Sequence, residues 1–319
     1  MPITEKQREG RNLIGSSDLA AVLGMSPYAN AHDVFMEKVY GVAPLKENPA
    51  MQAGNLLEEP LMQFTLLTVG GKLRRNTTRR VKGYPIRVNT DGTLDEPAPV
   101  EGKCVGLLNP YESGRSKEWG DDMTSEVPDD VAIQAHGHML GMTEDPIGLK
   151  GHPRHCYVPT ILSARGFVMF VVPFDRELGE YILDTVQAFW KNHVEPRVPP
   201  EDVPHLETIK RVHRLAGATV DLDEEAARLI GHYDRWKHDE TAAKEQKGAW
   251  KARLLAMLGD AEAGTLPDGR MVTYYTQSRK GLDQKKLQWE YPDVFHECQK
   301  TTTYPTIRFK KAPKLLTKG

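Results

Sequence analysis

The sequence predicts an α/β protein: a central mixed β-sheet flanked by helices, followed by a C-terminal domain that combines one long helix with a small α/β tail. Three observations predict it. Helix-period segments and short β-branched, aromatic runs alternate up to residue 194. A proline-rich break, EPRVPPEDVP at 195–204, then sets the expected boundary between a first domain, 1–204, and a second, 205–319. Beyond the break, 221–258 keeps helical spacing without interruption, roughly 55 Å of helix at 1.5 Å per residue.

The first segment, IGSSDLAAVLGMSPY, reads as a short helix. Ser16 or Ser17 can cap it, Asp18 suits its positive end, and Gly24 stops it. AHDVFMEKVYG reads as a second helix ending at Gly41, and AGNLLEEPLMQFTLLTV as a third, with Leu57, Leu61, Phe64 and Leu67 at helical spacing. Short strands are expected from there to Cys104. A loop of Gly, Ser and charged residues follows over 109–125, then a helix DDVAIQAHGHMLGM started by Pro128. HCYVPTIL and GFVMFVVPF read as buried strands, and FDRELGEYILDTVQAFWKNHV as an amphipathic helix with Leu178, Tyr181, Ile182, Phe189 and Trp190 on its apolar side. In the second domain Asp221 and Glu224 form a candidate capping box and Gly259 a stop. Strands near 272–276 and 306–309 with a helix over 283–290 make up the tail.

Composition narrows the class. With 319 residues, 27% charged and 39% apolar, the chain reads as soluble and globular. No apolar run approaches the roughly 18 residues of a membrane span, and MPITEKQREGRN lacks the apolar core of a signal peptide. Cys104, Cys156 and Cys298 are odd in number and widely spaced, which excludes a disulfide framework and favours a reducing cytoplasm. His152, His155 and Cys156 have no fourth ligand at zinc spacing. GxxxxGK[ST] and GxSxG are both absent, which removes the simplest readings as a P-loop motor or an α/β hydrolase.

The chemistry concentrates in VNTDGTLDEPAPVEGKCVGL. If the segment ending in Glu-x-Lys is a strand, its period of two puts Glu101 and Lys103 on one face. Gly92 lets the chain turn back, so that Asp91 meets that face. Two carboxylates about 4 Å apart repel by roughly 4 kcal/mol at an effective dielectric near 20, so such a cluster suits a divalent cation. A neighbouring lysine can orient or deprotonate water, or neutralise developing charge. The same residues also fit a plain hairpin turn and a solvated Glu-x-Lys pair. Upstream, Lys72, Arg74, Arg75, Arg79, Arg80, Lys82 and Arg87 form a basic run without an acid, in a chain whose net charge is -2. That run fits either phosphate-backbone handling or a solvated hairpin.

The capped IGSSDLAAVLGMSPY start, the GNLLEEP segment, the Glu-x-Lys strand and the glutamine-bearing helix after it occur in an order that resembles the YqaJ-type viral recombinases. These are phage lambda exonuclease-like members of the PD-(D/E)xK nuclease superfamily. The resemblance covers residues 11–200 and implies a restriction-endonuclease-like core. It implies that Asp91, Glu101 and the Gly102 carbonyl bind Mg²⁺ or Mn²⁺, as two ions, with Glu58 nearby or through water. Glu59 is adjacent to Glu58, and which of the two faces inward stays open. Lys103 would serve the attacking water and Gln134 would hold Lys103 or that water. Val131 and His136 stand where the family pattern has a tyrosine and a second glutamine, and His138 shares a helix face with Gln134.

The resemblance further implies 5′ to 3′ degradation of one strand of linear duplex DNA in phage-type recombination. The 5′ phosphate would be met by Ser17, with Ser16 beside it, and by Arg11, with Arg8 as a rival; the serines equally fit plain helix capping. Arg74, Arg75, Arg79 and Arg80 would hold DNA. A homo-oligomer, a trimeric ring, and a single-strand annealing partner are part of the same implication. A structure- or sequence-specific endonuclease, and a DNA-binding or assembly protein without turnover, are the alternatives on this scaffold.

Overall fold

A mixed sheet organises the first part of the chain. The computed structural model describes residues 13–43, 47–106, 115–146, 153–163, 165–212, 214 and 218–301. The chain divides into two units, 1–214 and 215–319. The first opens with β1 (Ile14–Gly15), a 3-10 turn at Ser16–Asp18 and the short helix α1 (Leu19–Val22). Then come α2 (Ala31–Tyr40), α3 (Pro49–Val69), β2 (Leu73–Arg80), β3 (Ile86–Leu94), β4 (Pro99–Val100) and β5 (Lys103–Val105). After the 3-10 turn Ser116–Glu118 follow α4 (Asp129–Leu140), β6 (His155–Leu162), β7 (Gly166–Pro173), α5 (Arg176–Phe189), which runs on as a π turn over Trp190–Val194, and α6 (Leu206–Arg211). The expected α/β architecture, a mixed sheet flanked by helices, is the one observed.

Seven strands, counted among the described residues, share the sheet. β2 and β3 pair antiparallel, and β3 pairs antiparallel with β4, Gly92 facing Val100. β4 and β5 both lie parallel to β6, and β7 closes that side antiparallel. β4 and β5 are thus one strand interrupted at Glu101–Gly102. The β-branched run of β6 is buried on both faces from Val158 to Leu162, as expected for a strand with helices and chain on either side.

Helix α4 lies deep, with Val131, Ile133, Ala135, His136, Gly137, His138, Met139 and Leu140 all buried. Two glycines allow it to come close. A Cβ on Gly137 would sit 2.4 Å from Leu19 Cδ1, and one on Gly141 would sit 2.3 Å from Val88 Cγ2. His136 ties α4 to α5. Its Nδ1 donates to the Ala132 carbonyl (2.8 Å) and its Nε2 accepts the Asp175 N–H (2.9 Å), which fixes one neutral tautomer. Burial lowers its pKa accordingly.

Several elements depart from the sequence expectation. Asp91 and Gly92 do not turn the chain; they lie inside β3, and the reversal comes at 95–98, closed by Leu94 N–H to the Ala98 carbonyl at 3.0 Å. Gly92 is needed there for another reason: the Leu73 side chain lies 3.0 Å from where its Cβ would be. The first helix shrinks to α1, with Ser16 and Ser17 in the 3-10 turn before it. On α3 the buried stripe is Leu61, Met62 and Thr65, while Leu67 is exposed. On α5 Tyr181 faces out, and Leu183 and Val186 join Ile182 and Phe189 inside.

The proline-rich stretch is not where the first unit ends. The Val203 carbonyl accepts from Asn30 Nδ2 (2.8 Å), the Asp33 carboxylate accepts His205 N–H (2.8 Å) and pairs with its ring, and Val42 bridges to Val212. These bonds hold α6 on α2, so 205–214 stays with the first unit.

The second unit carries α7 (Glu224–Leu258), the hairpin β8 (Ala263–Thr265) and β9 (Met271–Thr273), α8 (Gln284–Glu290) and α9 (Pro292–Glu297). Asp223, two residues beyond the expected cap Asp221, accepts the Ala226 N–H at 3.1 Å and starts α7. The strand expected at 306–309 lies outside the described residues.

Candidate active site at the β4–β5 break

The interruption between β4 and β5 gathers the acidic and basic residues singled out by the sequence. Glu101 N–H still bonds the sheet, through the Tyr157 carbonyl at 3.0 Å. The next N–H, that of Gly102, leaves the ladder and donates to Asp91 Oδ2 at 2.9 Å. This brings the Asp91 carboxylate across from β3 to the break. Gly102 also meets the packing around it, since a Cβ there would lie 3.0 Å from Leu61 Cδ1 and 3.6 Å from Asp91 Oδ2.

Glu101 is nearly buried, its side chain 9% exposed, and it carries a full set of donors. Lys103 Nζ donates to Glu101 Oε1 (2.9 Å) and to Gln134 Oε1 (2.7 Å). Gln134 Nε2 donates to the same Glu101 oxygen (2.7 Å), closing a triangle between sheet and helix. His138, one turn further along α4 and fully buried, places Nε2 3.1 Å from Glu101 Oε2, an ion-pair distance rather than a straight hydrogen bond. The i, i+4 spacing of Gln134 and His138 is the signal that predicted their common face.

Electrostatics divides the two carboxyls. Burial, the nearby Glu101 charge and the more distant Glu58 charge raise Asp91 to about 6, against the lowering effect of the Gly102 N–H. Burial pushes Glu101 the same way, but the Lys103 ammonium and His138 outweigh it and hold Glu101 at about 2. Burial also lowers Lys103, yet the Glu101 and Asp91 charges prevail and raise its pKa, so it is held as an ammonium. What Lys103 supplies is a positive charge and N–H donors.

Glu58 and Glu59 on α3 are both gripped by the Arg75 guanidinium of β2. Glu58 is the more enclosed, at 32% side-chain exposure against 64% for Glu59, and its charge reaches Asp91. Arg74, Arg79 and Arg80 make no ion pair among the described residues; Arg74 and Arg80 are exposed and Arg79 half-buried. Ser16 is buried and Ser17 exposed; the Gly15 N–H is taken by Asp18 Oδ2 at 3.1 Å, and Lys38 pairs with the same oxygen at 2.8 Å. Neither serine caps a helix. Arg11 and Arg8 lie outside the described residues.

An open pocket of about 130 Å³ adjoins Lys103 and is walled by Tyr28, Arg115, Trp119 and Asp130. Arg115 donates to Asp130 Oδ1 (2.5 Å) and to the Tyr28 hydroxyl (2.7 Å), and stands over the Tyr28 ring. Nothing in the sequence pattern marks Arg115, which falls in the charged Gly/Ser loop.

The break brings together two carboxylates, those of Asp91 and Glu101. Hard divalent cations such as Mg²⁺ and Mn²⁺ take such ligands. Among the described residues no group of three or more His, Cys, Asp or Glu side chains stands as a metal-binding array. No helix among the described residues is long and apolar enough to cross a membrane.

Residues 5–144 match the model of the YqaJ-like viral recombinase domain. The chain is 24% identical over 315 residues to an uncharacterized protein, YqaJ, of Bacillus subtilis (strain 168), over 95% of this chain and 92% of that one. Among solved structures it is similar to an alkaline exonuclease from Laribacter hongkongensis, at 16% identity and TM-score 0.46, over 61% of this chain and 94% of that one. The same enzyme in complex with dAMP gives 16% identity and a TM-score of 0.47, with the same coverage. A phage related exonuclease from Haemophilus somnus 129PT is similar at 16% identity and TM-score 0.40, over 56% and 94% of the two chains. The likeness to YqaJ-type recombinases read in the sequence is met by the match over residues 5–144.

Proposed function

We propose that this chain is a divalent-metal-dependent DNA exonuclease that hydrolyses phosphodiester bonds of linear duplex DNA, 5′ to 3′, in phage-type recombination. The observation that carries the reading is the triangle of Glu101, Lys103 and Gln134 at a strand break that Asp91 reaches through the Gly102 N–H. The match to a viral recombinase domain supports the substrate class.

Asp91, Glu101 and the Gly102 carbonyl would hold Mg²⁺ or Mn²⁺, as two ions, with Glu58 joining through water. A divalent cation held there would supply charge stabilisation at the scissile phosphate. Lys103, kept cationic, orients the attacking water by its N–H donors and offsets charge that develops on the phosphate. Gln134 fixes the Lys103 rotamer from the helix side. His138 braces the Glu101 oxygen that Lys103 leaves free. Arg75 keeps Glu58 turned toward Asp91.

The exposed arginines of β2, Arg74 and Arg80, with Arg79 beside them, would track the phosphate backbone. Ser16, Ser17 and Arg11 stand in this reading as the 5′-phosphate contacts. Because the serines lie in a 3-10 turn, their hydroxyls and the turn's N–H groups would supply that contact, without the dipole of a long helix. A trimeric ring and a single-strand annealing partner belong to the same proposal, as does a cytoplasmic location.

End-labelled linear duplex and closed circular DNA, incubated with Mg²⁺ and with or without a 5′ phosphate, test it. The proposal expects loss of the linear DNA, faster with the phosphate, and an intact circle. Lys103→Ala should abolish cleavage and spare DNA binding. A cut circle would replace the exonuclease by an endonuclease, and no cleavage of either DNA would leave a binding protein.

A further inference from the structure

Helix α7 runs for 35 residues without one buried side chain. Such a helix in isolation is marginal in water, and most helical stability in proteins comes from a packed face. Its larger apolar side chains stand open: Leu229 is 62% exposed, Trp236 70%, Trp250 63% and Met257 84%.

Those side chains lie on a series that alternates steps of three and four residues, apolar at every position except Glu240 and Lys247. The series is 226, 229, 233, 236, 240, 243, 247, 250, 254, 257, five heptads without a stutter. A lone surface helix with 3.6 residues per turn drifts about 20° per heptad from such a repeat, whereas a supercoiled partner helix keeps it in register. The 3.5 period therefore specifies a second helix of matching length as the cover.

Two positions in the seam are charged, Glu240 and Lys247, and they decide the direction. In a parallel pair each would meet its own copy, like charge on like charge. In an antiparallel pair with full overlap, residues whose numbers add to 483 face each other. Leu229 then meets Leu254 of the other copy, Glu240 meets Ala243, and the Lys247 ammonium lies against Trp236, a favourable cation–π placement. Net charge agrees. Residues 224–240 hold five acidic and three basic side chains, net -2, and 241–258 hold one acidic and four basic, net +3. Antiparallel pairing sets each half against its opposite.

We propose that α7 is a self-association helix: it pairs antiparallel with the α7 of a second copy of this chain and joins chains in twos, independently of the nuclease reading. At roughly 1.5 Å per residue the seam from 226 to 257 is about 47 Å long, and three of its five heptads are apolar at both positions.

Light scattering coupled to size-exclusion chromatography of the full chain tests this. The wild type is expected to contain an even number of chains, six where pairing joins two of the proposed trimeric rings. Trp236→Glu with Trp250→Glu should halve that number, and His238→Glu, on the opposite side of the helix, should leave it unchanged. A monomeric wild type, with the seam covered by the chain's own residues 302–319 or kept for a different protein, overturns the proposal. So does a mass that the double substitution leaves unaltered. A milder pair reads the direction. In a Cys298→Ser background, Leu229→Cys and Leu254→Cys proteins should form a disulfide-linked dimer when mixed and oxidised, and neither should do so alone. Cross-linking of either variant with itself overturns the antiparallel assignment.

Discussion

Asp91 accepts the main-chain N–H of Gly102 at 2.9 Å, and this one bond joins the middle of one strand to the break in the next. The Glu101 N–H points to β6, so the Gly102 N–H points to the β3 side, where the bond supplies its acceptor and fixes a carboxylate beside Glu101. A strand that lost a ladder bond without such a partner would leave a buried donor unsatisfied, at about 1–3 kcal/mol.

Gln134 makes two hydrogen bonds of 2.7 Å, one to each member of the Glu101–Lys103 pair. Replacing it by Ala leaves the ion pair but frees the lysine rotamer. Single-turnover cleavage is expected to slow by about 10- to 100-fold, the range seen when groups that orient metal-site residues are removed. DNA affinity, measured by anisotropy, should stay within a factor of about two.

Asp91 gives a pH signature. Its carboxyl titrates at about 6 in the folded protein against 3.8 in the reference state, so the fold binds that proton more tightly than the unfolded chain does. Its contribution is fully present below the unfolded value and is lost as pH rises through 6. In chelator, the melting temperature of the wild type relative to Asp91→Asn should fall between about pH 4 and 6 and level off above that. The asparagine keeps an oxygen for the Gly102 N–H, so the comparison isolates the charge. Added Mg²⁺ should shrink the fall, because a bound cation favours the ionised carboxylate.

Gly141 closes α4 onto the sheet, and Gly141→Ala would press a methyl to 2.3 Å from Val88 Cγ2. Val88 is fully buried and cannot swing away. Chemical denaturation should report a loss of about 1–3 kcal/mol, the usual range for overpacking. The proposed DNA cleavage should fall with it, since the same helix carries Gln134 and His138.

Much of this was legible in the residues, and the failures have physical causes. β6 could be read to the residue, and β7 to within one residue of its end, because buried β-branched runs have few other homes. Helix α2 could be read because Asn30 caps it and Gly41 leaves it at φ 70°. The convergence of Asp91, Glu101 and Lys103 followed from strand period and sequence distance, but by the wrong route. Asp-Gly was expected to turn, whereas here the glycine makes room for Leu73 inside a strand. A glycine has two uses, an unusual φ or a close approach, and only the packing tells which. Leu67 and Tyr181 sit at helical spacing on the wrong side of their stripes, because the buried faces of α3 and α5 turn toward residues far away in sequence. Arg115 was not legible at all: its partners Tyr28 and Asp130 come from two other segments.

The central claim is that Asp91, Glu101 and the oxygen between Glu101 and Lys103 hold a divalent ion. Calorimetric titration of the chelator-treated full-length protein with Mn²⁺ at pH 7.5 tests it most directly. The account predicts a saturable binding heat in the wild type and at least about tenfold weaker binding in Asp91→Asn, the loss of one charged ligand. Equal Mn²⁺ affinity in the two proteins would contradict it.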